Sequence, residues 1–471
     1  MRTVSQTRTD TAAWTDLVAG VGQTVPVIDG TRRRYVNLDN AASTPPLRAV
    51  RETVDQMAEW YSSVHRGSGF KSQLSTGLYD RARELVLEFV HADPRDMVAI
   101  FAVNTTEAIN RLAFRLALKK DDVILTSVME HHSNMLPWRD LATAVYVRVD
   151  DDGRIELDDL EENLRRYDGR VRLVAVTGAS NITGYTPPIH RIARMAHDHG
   201  AEILVDAAQL AAHRAIDVRP ASDPGHIDYL SISAHKMYAP YGSGALIANR
   251  RLLESGRPFM LGGGIVELVT LDEVLLSGLP DREEAGSPNV IGAVALAKAI
   301  QTLQQIGMDA IASHEQELTA YALRRLQEIP GLRVIGSADP SRVGERVGVL
   351  TFNLDGIHHG LVAAILGHEH GIAVRHGCFC AHPYLIRLLK VSEADLAQAT
   401  AAISRHDKSE IPGGVRASIG IYNTQEDIDL LVDALTQIAQ GSYRGTYRLD
   451  RPSGDYEPDG YEPPTEDWFP L

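Results

Sequence analysis

Glu202-Ile203-Leu204-Val205-Asp206-Ala207-Ala208 carries a continuous apolar run, and Arg172-Leu173-Val174-Ala175-Val176-Thr177 carries another. A strand buried on both faces of a parallel sheet reads this way, whereas a half-exposed antiparallel strand alternates. Further short apolar runs lie on both sides, separated by segments of helical spacing. Val98–Phe101 precedes the helical TTEAINRLAFRLAL, and Asp122–Thr126 precedes a helix expected near 134–143. Ala144–Val149, Val171–Thr177, a helix at 187–199, Ala201–Val205, Tyr229–Ile232 and Gly244–Ala248 continue the rhythm. Upstream, apolar residues recur at helical spacing over 48–62 and 76–92, the second through Tyr79, Ala82, Leu85, Val86, Phe89 and Val90. Strands alternating with helices predict an α/β domain with a mostly parallel sheet.

The rhythm changes after residue 300. Helices at 290–306 and 309–328 are followed by strand-like Leu332–Ile335 and Val347–Asn353. A helix at 358–370, Ala373–Arg375 and a last helix at 424–440 complete α+β material. The chain has 471 residues, more than one core usually holds. The division expected is an N-terminal arm (1–34), a large domain (35–300), a smaller C-terminal domain (301–440) and a tail (441–471). The tail is rich in Pro, Gly, Tyr and acid, cannot build a core, and carries aromatic residues suited to lying along a surface.

Lys plus Arg number 47 against 62 Asp plus Glu, a formal net charge of −15. That balance argues against nucleic acid or an anionic membrane as a partner. No apolar run approaches the roughly 18 residues of a membrane span. The first residues lack the apolar core of a signal peptide, so a cytoplasmic location is the expectation. Cys378 and Cys380 are the only cysteines, too close for a structural disulfide and too few for a zinc site. The histidines are scattered, and His131-His132 lacks metalloprotease spacing, so no metal is expected.

Two residues carry the chemistry. Lys236 follows the run Tyr229–Ile232 within Ser233-Ala234-His235-Lys236, ahead of a Gly-rich turn. Asp206 falls at the carboxyl end of its buried strand, where open α/β sheets bind ligands. Such a pair is what pyridoxal 5'-phosphate (PLP) requires. An amine forms a Schiff base with the aldehyde, and a carboxylate keeps the ring nitrogen protonated. Either residue alone reads as well as a surface lysine or a helix-capping aspartate.

With their neighbours these residues resemble the class V aminotransferase family of fold-type I PLP enzymes, in the branch of cysteine desulfurases and selenocysteine lyases. The resemblance spans roughly 35–440 and rests on Leu38–Ser43, Ser63–Gly67, Asn104–Asn110, Met129–His132, Ser180-Asn181, Asp206-x-x-Gln209, Ser233-x-His235-Lys236, Glu284–Asn289 and Arg416–Ser418. It implies a PLP-dependent transferase fold: a large domain with a mostly parallel central sheet, plus a smaller α+β C-terminal domain. It also implies a homodimer. Thr105, Thr106, Ser233 and His235 would bind the cofactor phosphate, with Ser287 reaching it from the partner subunit. The backbone of a helix opening at Thr105 suits a dianion independently. Asn181 and Gln209 would bond the phenolic oxygen, and His131 would stack on the ring and take part in proton transfer. Asn40, His65, Arg66 and Arg375 are expected around the substrate, and Arg416 would pair with its carboxylate. For each, the plainer alternative is an N-cap, a satisfied core amide or a surface ion pair.

Arg375-His376-Gly377-Cys378-Phe379-Cys380-Ala381-His382-Pro383 resembles the desulfurase segment that carries the nucleophile, with Cys380 in that position. A cation beside a thiol favours the thiolate. Two features depart from the common pattern. Cys378-Phe379 replaces the usual histidines, as in molybdenum-cofactor sulfurases, and helical-looking inserts at 383–389 and 393–405 lengthen the path to Arg416. Cys378 either resolves a persulfide or packs as a small hydrophobe. The reading is a PLP-dependent cysteine desulfurase acting on L-cysteine, with Lys236, Cys380 and His131 catalytic, passing sulfur to an acceptor for which a protein is one candidate. The alternative is a PLP-dependent C–S lyase, epimerase or other specialised enzyme of the family in which Cys380 is not the nucleophile.

Overall fold

The computed structural model describes residues 12–463 and Trp468. Residues 1–11 of the expected arm, and 464–467 and 469–471 of the expected tail, lie outside the described residues. The chain forms two compact units.

The first unit, Ser43–Ala312 with Glu345–Val347, is built on a seven-stranded sheet. Its strands are β1 (Met97–Ala102), β2 (Val123–Ser127), β3 (Thr143–Val147), β4 (Val171–Thr177), β5 (Glu202–Asp206), β6 (Tyr229–Ser233) and β7 (Gly244–Asn249). Their order is β1-β7-β6-β5-β4-β2-β3. The pairs from β6 to β3 are parallel, while β7 runs antiparallel to both β6 and β1. Every residue of β2 and β6 is buried, as continuous apolar runs require of central strands. Ile100, Leu112, Ile124, Trp138, Leu173, Leu204, Tyr229 and Leu246 form one core cluster. A second cluster joins the helices Arg48–Trp60, Phe70–Phe89 and Val290–Ile306 through Met57, Tyr79, Leu85 and Val290, with the small Ala293 and Ala297 at the contact.

The second unit takes in the described chain up to Ala42, Ser313–Gly344, and the chain from Gly348 onward. Its sheet holds β8 (Leu332–Ile335), β9 (Val349–Leu354), β10 (Arg375–Gly377) and β11 (Gly414–Ser418), antiparallel in the order β8-β9-β11-β10. Helices His359–His370 and Gln425–Ala439 pack on it around Phe352, Ile365, Leu366, Leu431 and Leu435. Sequence order placed residues 35–42 with the large domain, but Val36–Asn37 pairs in parallel with Ile372–Ala373 and Leu38 is buried in this core. Asp39 and Asn40 therefore belong with Arg375 and Arg416. The tail carries an antiparallel hairpin, Tyr447–Asp450 with Asp455–Pro458. Buried Glu369 pins it, accepting from the Arg444 and Gly445 backbone N–H groups at 2.9 and 3.0 Å and from the Tyr447 hydroxyl at 3.0 Å.

Candidate active site

Because β4, β5 and β6 are parallel, their carboxyl ends open onto one edge of the sheet. Asp206 ends β5, and Ser233 ends β6 before the short 3-10 turn Ala234–Lys236. Lys236 Nζ donates to Gln209 Oε1 at 3.3 Å. Asp206 is buried and accepts from the Ala208 N–H at 3.0 Å. Burial raises its pKa, while that hydrogen bond and the Lys236 charge oppose the rise. His235 is pushed down to about 4, by burial first and then by Lys236, so its ring is neutral at physiological pH. Asn181 lies buried in the turn after β4, which Ser180 Oγ fixes by accepting from the N–H groups of Ile182 and Thr183, each at 3.1 Å.

The helix Thr105–Arg115 follows β1, its first turn capped by Asn104, whose side chain accepts from the Glu107 N–H at 3.0 Å. Thr105 N–H donates to Ser233 Oγ at 2.9 Å, which ties this helix to the lysine strand. Thr106 Oγ1 lies 2.7 Å from Ser133 Oγ, and Ser133 Oγ lies 3.0 Å from His131 Nδ1. The Ser133 N–H donates to that same Nδ1 at 3.1 Å, fixing the ring. Sequence reasoning passed over Glu130, the residue before His131. It is fully buried, accepting from Ser127 Oγ at 2.5 Å and Asn134 Nδ2 at 2.7 Å, and burial pushes its pKa up to about 8.

Two atoms in this group fit an absent ligand. Thr105 Oγ1 and Gln209 Nε2 are buried with no hydrogen-bond partner among the described residues. Leaving such groups unmet costs roughly 1–3 kcal/mol each. One sits at a helix N-terminus beside Ser233, the other beside the lysine, so an anionic group and a ring acceptor would meet them respectively. The residues present fit PLP. Ser287 is exposed in the turn before Val290–Ile306, with no hydrogen bond to this group among the described residues. His65 and Arg66 both adopt left-handed backbone, φ 59° and 47°, and Arg66 Nη2 donates to the Val266 carbonyl at 2.6 Å. Successive non-glycine residues there store strain of the kind that gathers at functional sites.

The second unit holds the remaining predicted residues. Arg375 on β10 and Arg416 on β11 are direct cross-strand partners, an unfavourable pairing of like charges. Asp39 lies against both: Arg375 Nη2 is 2.9 Å and Arg416 Nη2 is 3.4 Å from its carboxylate. Arg375 is half exposed, whereas Arg416 is buried with its guanidinium 4.8 Å from the Phe379 ring centroid. Burial lowers the Arg416 pKa to about 10, with Asp39 opposing, so it keeps its charge. Asn40, expected near substrate, is engaged at both ends of its amide: Nδ2 donates to the Ser418 carbonyl at 2.9 Å and Oδ1 accepts from Tyr422 at 2.6 Å. Within this fold its work is to hold the N-terminal segment against β11.

The two thiols differ. Cys378 is buried, donates to the Pro412 carbonyl at 2.7 Å, and is pushed up to about 12 by burial and then by Cys380. Cys380 is exposed, on left-handed backbone with φ 57° next to Phe379 at 53°. It lines a cavity of about 450 Å³ with Asp39, Arg375, His376, His382 and Lys408. The tail contributes Ser453, Gly454 and Asp455 to the lining, and Asp455 pairs with His376 at 3.0 Å. Asp39 and Asp455 were missed as site residues. Asp39 stood inside a quoted motif, but Asp455 carries no local signal.

Similarity to known proteins agrees with this arrangement. The Aminotransferase class-V family pattern matches residues 36–431. A probable cysteine desulfurase of Halalkalibacterium halodurans is 38% identical over 409 residues, covering 85% of this chain and 92% of that protein. The cysteine desulfurase of Haloferax volcanii is 34% identical over 410 residues, covering 85% and 88%. Among solved structures, the apo cysteine desulfurase of Thermococcus onnurineus superposes with a TM-score of 0.76 at 31% identity, covering 86% of this chain and 95% of that one. The Escherichia coli cysteine desulfurase CsdA gives 0.74 at 30% identity, covering 92% and 99%. A lysine at the carboxyl edge of a parallel sheet, an exposed cysteine beside two arginines and these likenesses together make the chain an enzyme of the class-V aminotransferase family, in its cysteine desulfurase branch.

Proposed function

We propose that this enzyme holds pyridoxal 5'-phosphate at Lys236, takes sulfur from L-cysteine onto Cys380 and releases L-alanine. The observation that carries the reading is the contrast between the two thiols: one is locked as a buried donor, the other open in a cavity beside Arg375. The family relationship supports it independently.

When bound, PLP supplies the electron sink that labilises bonds at the substrate's α-carbon. The chain's residues do the rest. Lys236 would hold the cofactor, and its Nζ would carry the proton of the substrate's α-carbon. Asp206 would hold a proton at the ring nitrogen, and Gln209 Nε2 and Asn181 would donate to the ring oxygen. Thr105, Thr106, Ser233 and neutral His235 would donate to the phosphate, and His131 would cover the ring. Arg416 and Arg375 receive the substrate carboxylate in exchange for Asp39. The Cys380 thiolate attacks the substrate sulfur. A sulfur–sulfur bond forms as the carbon–sulfur bond breaks, and the carbon keeps the electron pair and takes a proton. A thiol reductant or acceptor then removes the sulfur from Cys380.

A homodimer belongs to the same reading, with Ser287 serving the partner's site, as do a cytoplasmic location and a sulfur-acceptor protein. The test is alanine release from L-cysteine with excess reductant. Cys380→Ser is expected to fall to background, while Cys378→Ser keeps more than about half the activity, since its thiol is protonated and packed. Pyruvate or D-cysteine formed in place of alanine, unchanged in Cys380→Ser, would instead favour a lyase or epimerase in which that cysteine is a bystander.

A further inference from the structure

A second cluster lies at the opposite edge of the central sheet. His197 closes the helix Ile189–Asp198, and His226 and Asp228 lead into β6. The Nδ1 of His197 lies 2.8 Å from the Pro224 carbonyl, and the Nδ1 of His226 lies 2.7 Å from the Asp223 carbonyl. A carbonyl only accepts, so both Nδ1 atoms carry protons, and in neutral rings both Nε2 atoms are bare lone pairs. Those lone pairs face one carboxylate: His197 Nε2 is 2.9 Å from Asp228 Oδ2, and His226 Nε2 is 3.3 Å from Oδ1. Two lone-pair nitrogens held against two anionic oxygens repel unless something positive sits among them.

Burial and second contacts make this a built arrangement. Asp228 is buried, and its Oδ2 also accepts from the Ile203 N–H at 2.9 Å, which fixes the carboxylate. The two rings stack with centroids 4.1 Å apart and planes 18° apart, so neither turns without disturbing the other. One ligand atom from each of the three residues lies within 4.8 Å of the others. Metal–ligand bonds of about 2.0–2.1 Å place neighbouring ligand atoms roughly 3 Å apart. Carbonyl bonds on the far ring nitrogen are the usual support of a ligating histidine. His226 and Asp228 also line a cavity of about 640 Å³, which leaves room for water at the remaining positions.

We propose that His197, His226 and Asp228 bind one divalent transition-metal ion, of the class Zn²⁺ represents, at a structural site. Five strand residues, about 16 Å of β6, separate it from the lysine turn. The ion ties the end of Ile189–Asp198 to the start of β6 and takes no part in sulfur chemistry. Protonation is the competing way to fill the cluster: burial opposes a charge on His197, but the Asp228 hydrogen bond raises its pKa overall.

The experiment uses the full-length Cys380→Ser holoenzyme, so that the open thiol does not compete. Protein stripped with chelator is exposed to Zn²⁺, gel-filtered and analysed for metal, and its thermal midpoint is recorded. About one ion per chain and a raised midpoint are expected. In His226→Gln and Asp228→Asn, retention falls more than about tenfold, and the cofactor absorbance in His226→Gln stays unchanged. If Asp228→Asn fails to fold, His226→Gln decides. No retained ion, or equal retention in His226→Gln, overturns the proposal and leaves a protonated His–Asp–His cluster.

Discussion

The hydrogen bond from Cys378 to the Pro412 carbonyl separates two thiols that composition alone leaves equivalent. Sequence likeness placed Cys380 at the nucleophile position, and the structure shows Cys378 beside it locked as a buried donor. A thiol pushed up to about 12 is protonated throughout the physiological range. Glu130 behaves in the same way at the cofactor edge. Its pKa is 4.5 in an ordinary setting and about 8 in the fold, so the folded chain holds a proton that the unfolded chain has released. The stability this gives is complete below 4.5 and is lost as pH rises through about 8. Glu130→Gln keeps a neutral side chain at every pH. Its melting temperature is therefore expected to vary less with pH over that window than the parent's, as parallel thermal scans would measure. An unchanged slope would place the pH response elsewhere.

Elements were legible wherever local pattern and burial agree. The strand at Val171–Thr177 and the helix at Val290–Ile306 fall where the sequence puts them. The helix expected from residue 76 begins at Phe70, because Phe70, Lys71 and Gln73 face solvent and show no apolar spacing. The tail hairpin was illegible for a different reason. It was expected to lie along a surface, but its fixing acceptor is Glu369, 75 residues before Arg444. Glu369→Ala removes the acceptor of two N–H groups and a phenol. The expected cost is about 1–3 kcal/mol, with faster trypsin cleavage at Arg444 and Arg448. Unchanged cleavage would mean that Tyr456 packing on His358, centroids 5.3 Å apart, holds the hairpin without it. Asp206, Ser233 and Thr105 could be placed from the sequence because the first two end strands and the third opens a helix. The Asp39 clamp and the His197–His226–Asp228 cluster depend on long-range pairing that no local spacing announces.

At the scale of the molecule, one surface feature bears on assembly. The hairpin Val266–Val269 and Val274–Leu276 exposes Leu268, Val269, Val274 and Leu275 by more than half, and Leu271 lies wholly in solvent at its tip. Contiguous apolar side chains of this kind suit contact between copies. Leu275→Asp is expected to shift sedimentation from dimer toward monomer, whereas a parent chain that sediments as a monomer would remove Ser287 from the site. The other large-scale feature is the N-terminal segment in the second unit. Asn40 bonds Ser418 across 378 positions of sequence, and Val36 and Leu38 join a core otherwise drawn from residues beyond 312. During synthesis this segment emerges before the rest of its core and finds its partners only after more than 300 further residues have followed. Loop closure over such a distance is slow, and an unpaired apolar strand is what chaperones bind and aggregates recruit. The cysteine-bearing unit therefore cannot close its core before residues up to Ile438 have been made, and Val36–Asn37 lacks its strand partner until Ile372–Ala373 follow.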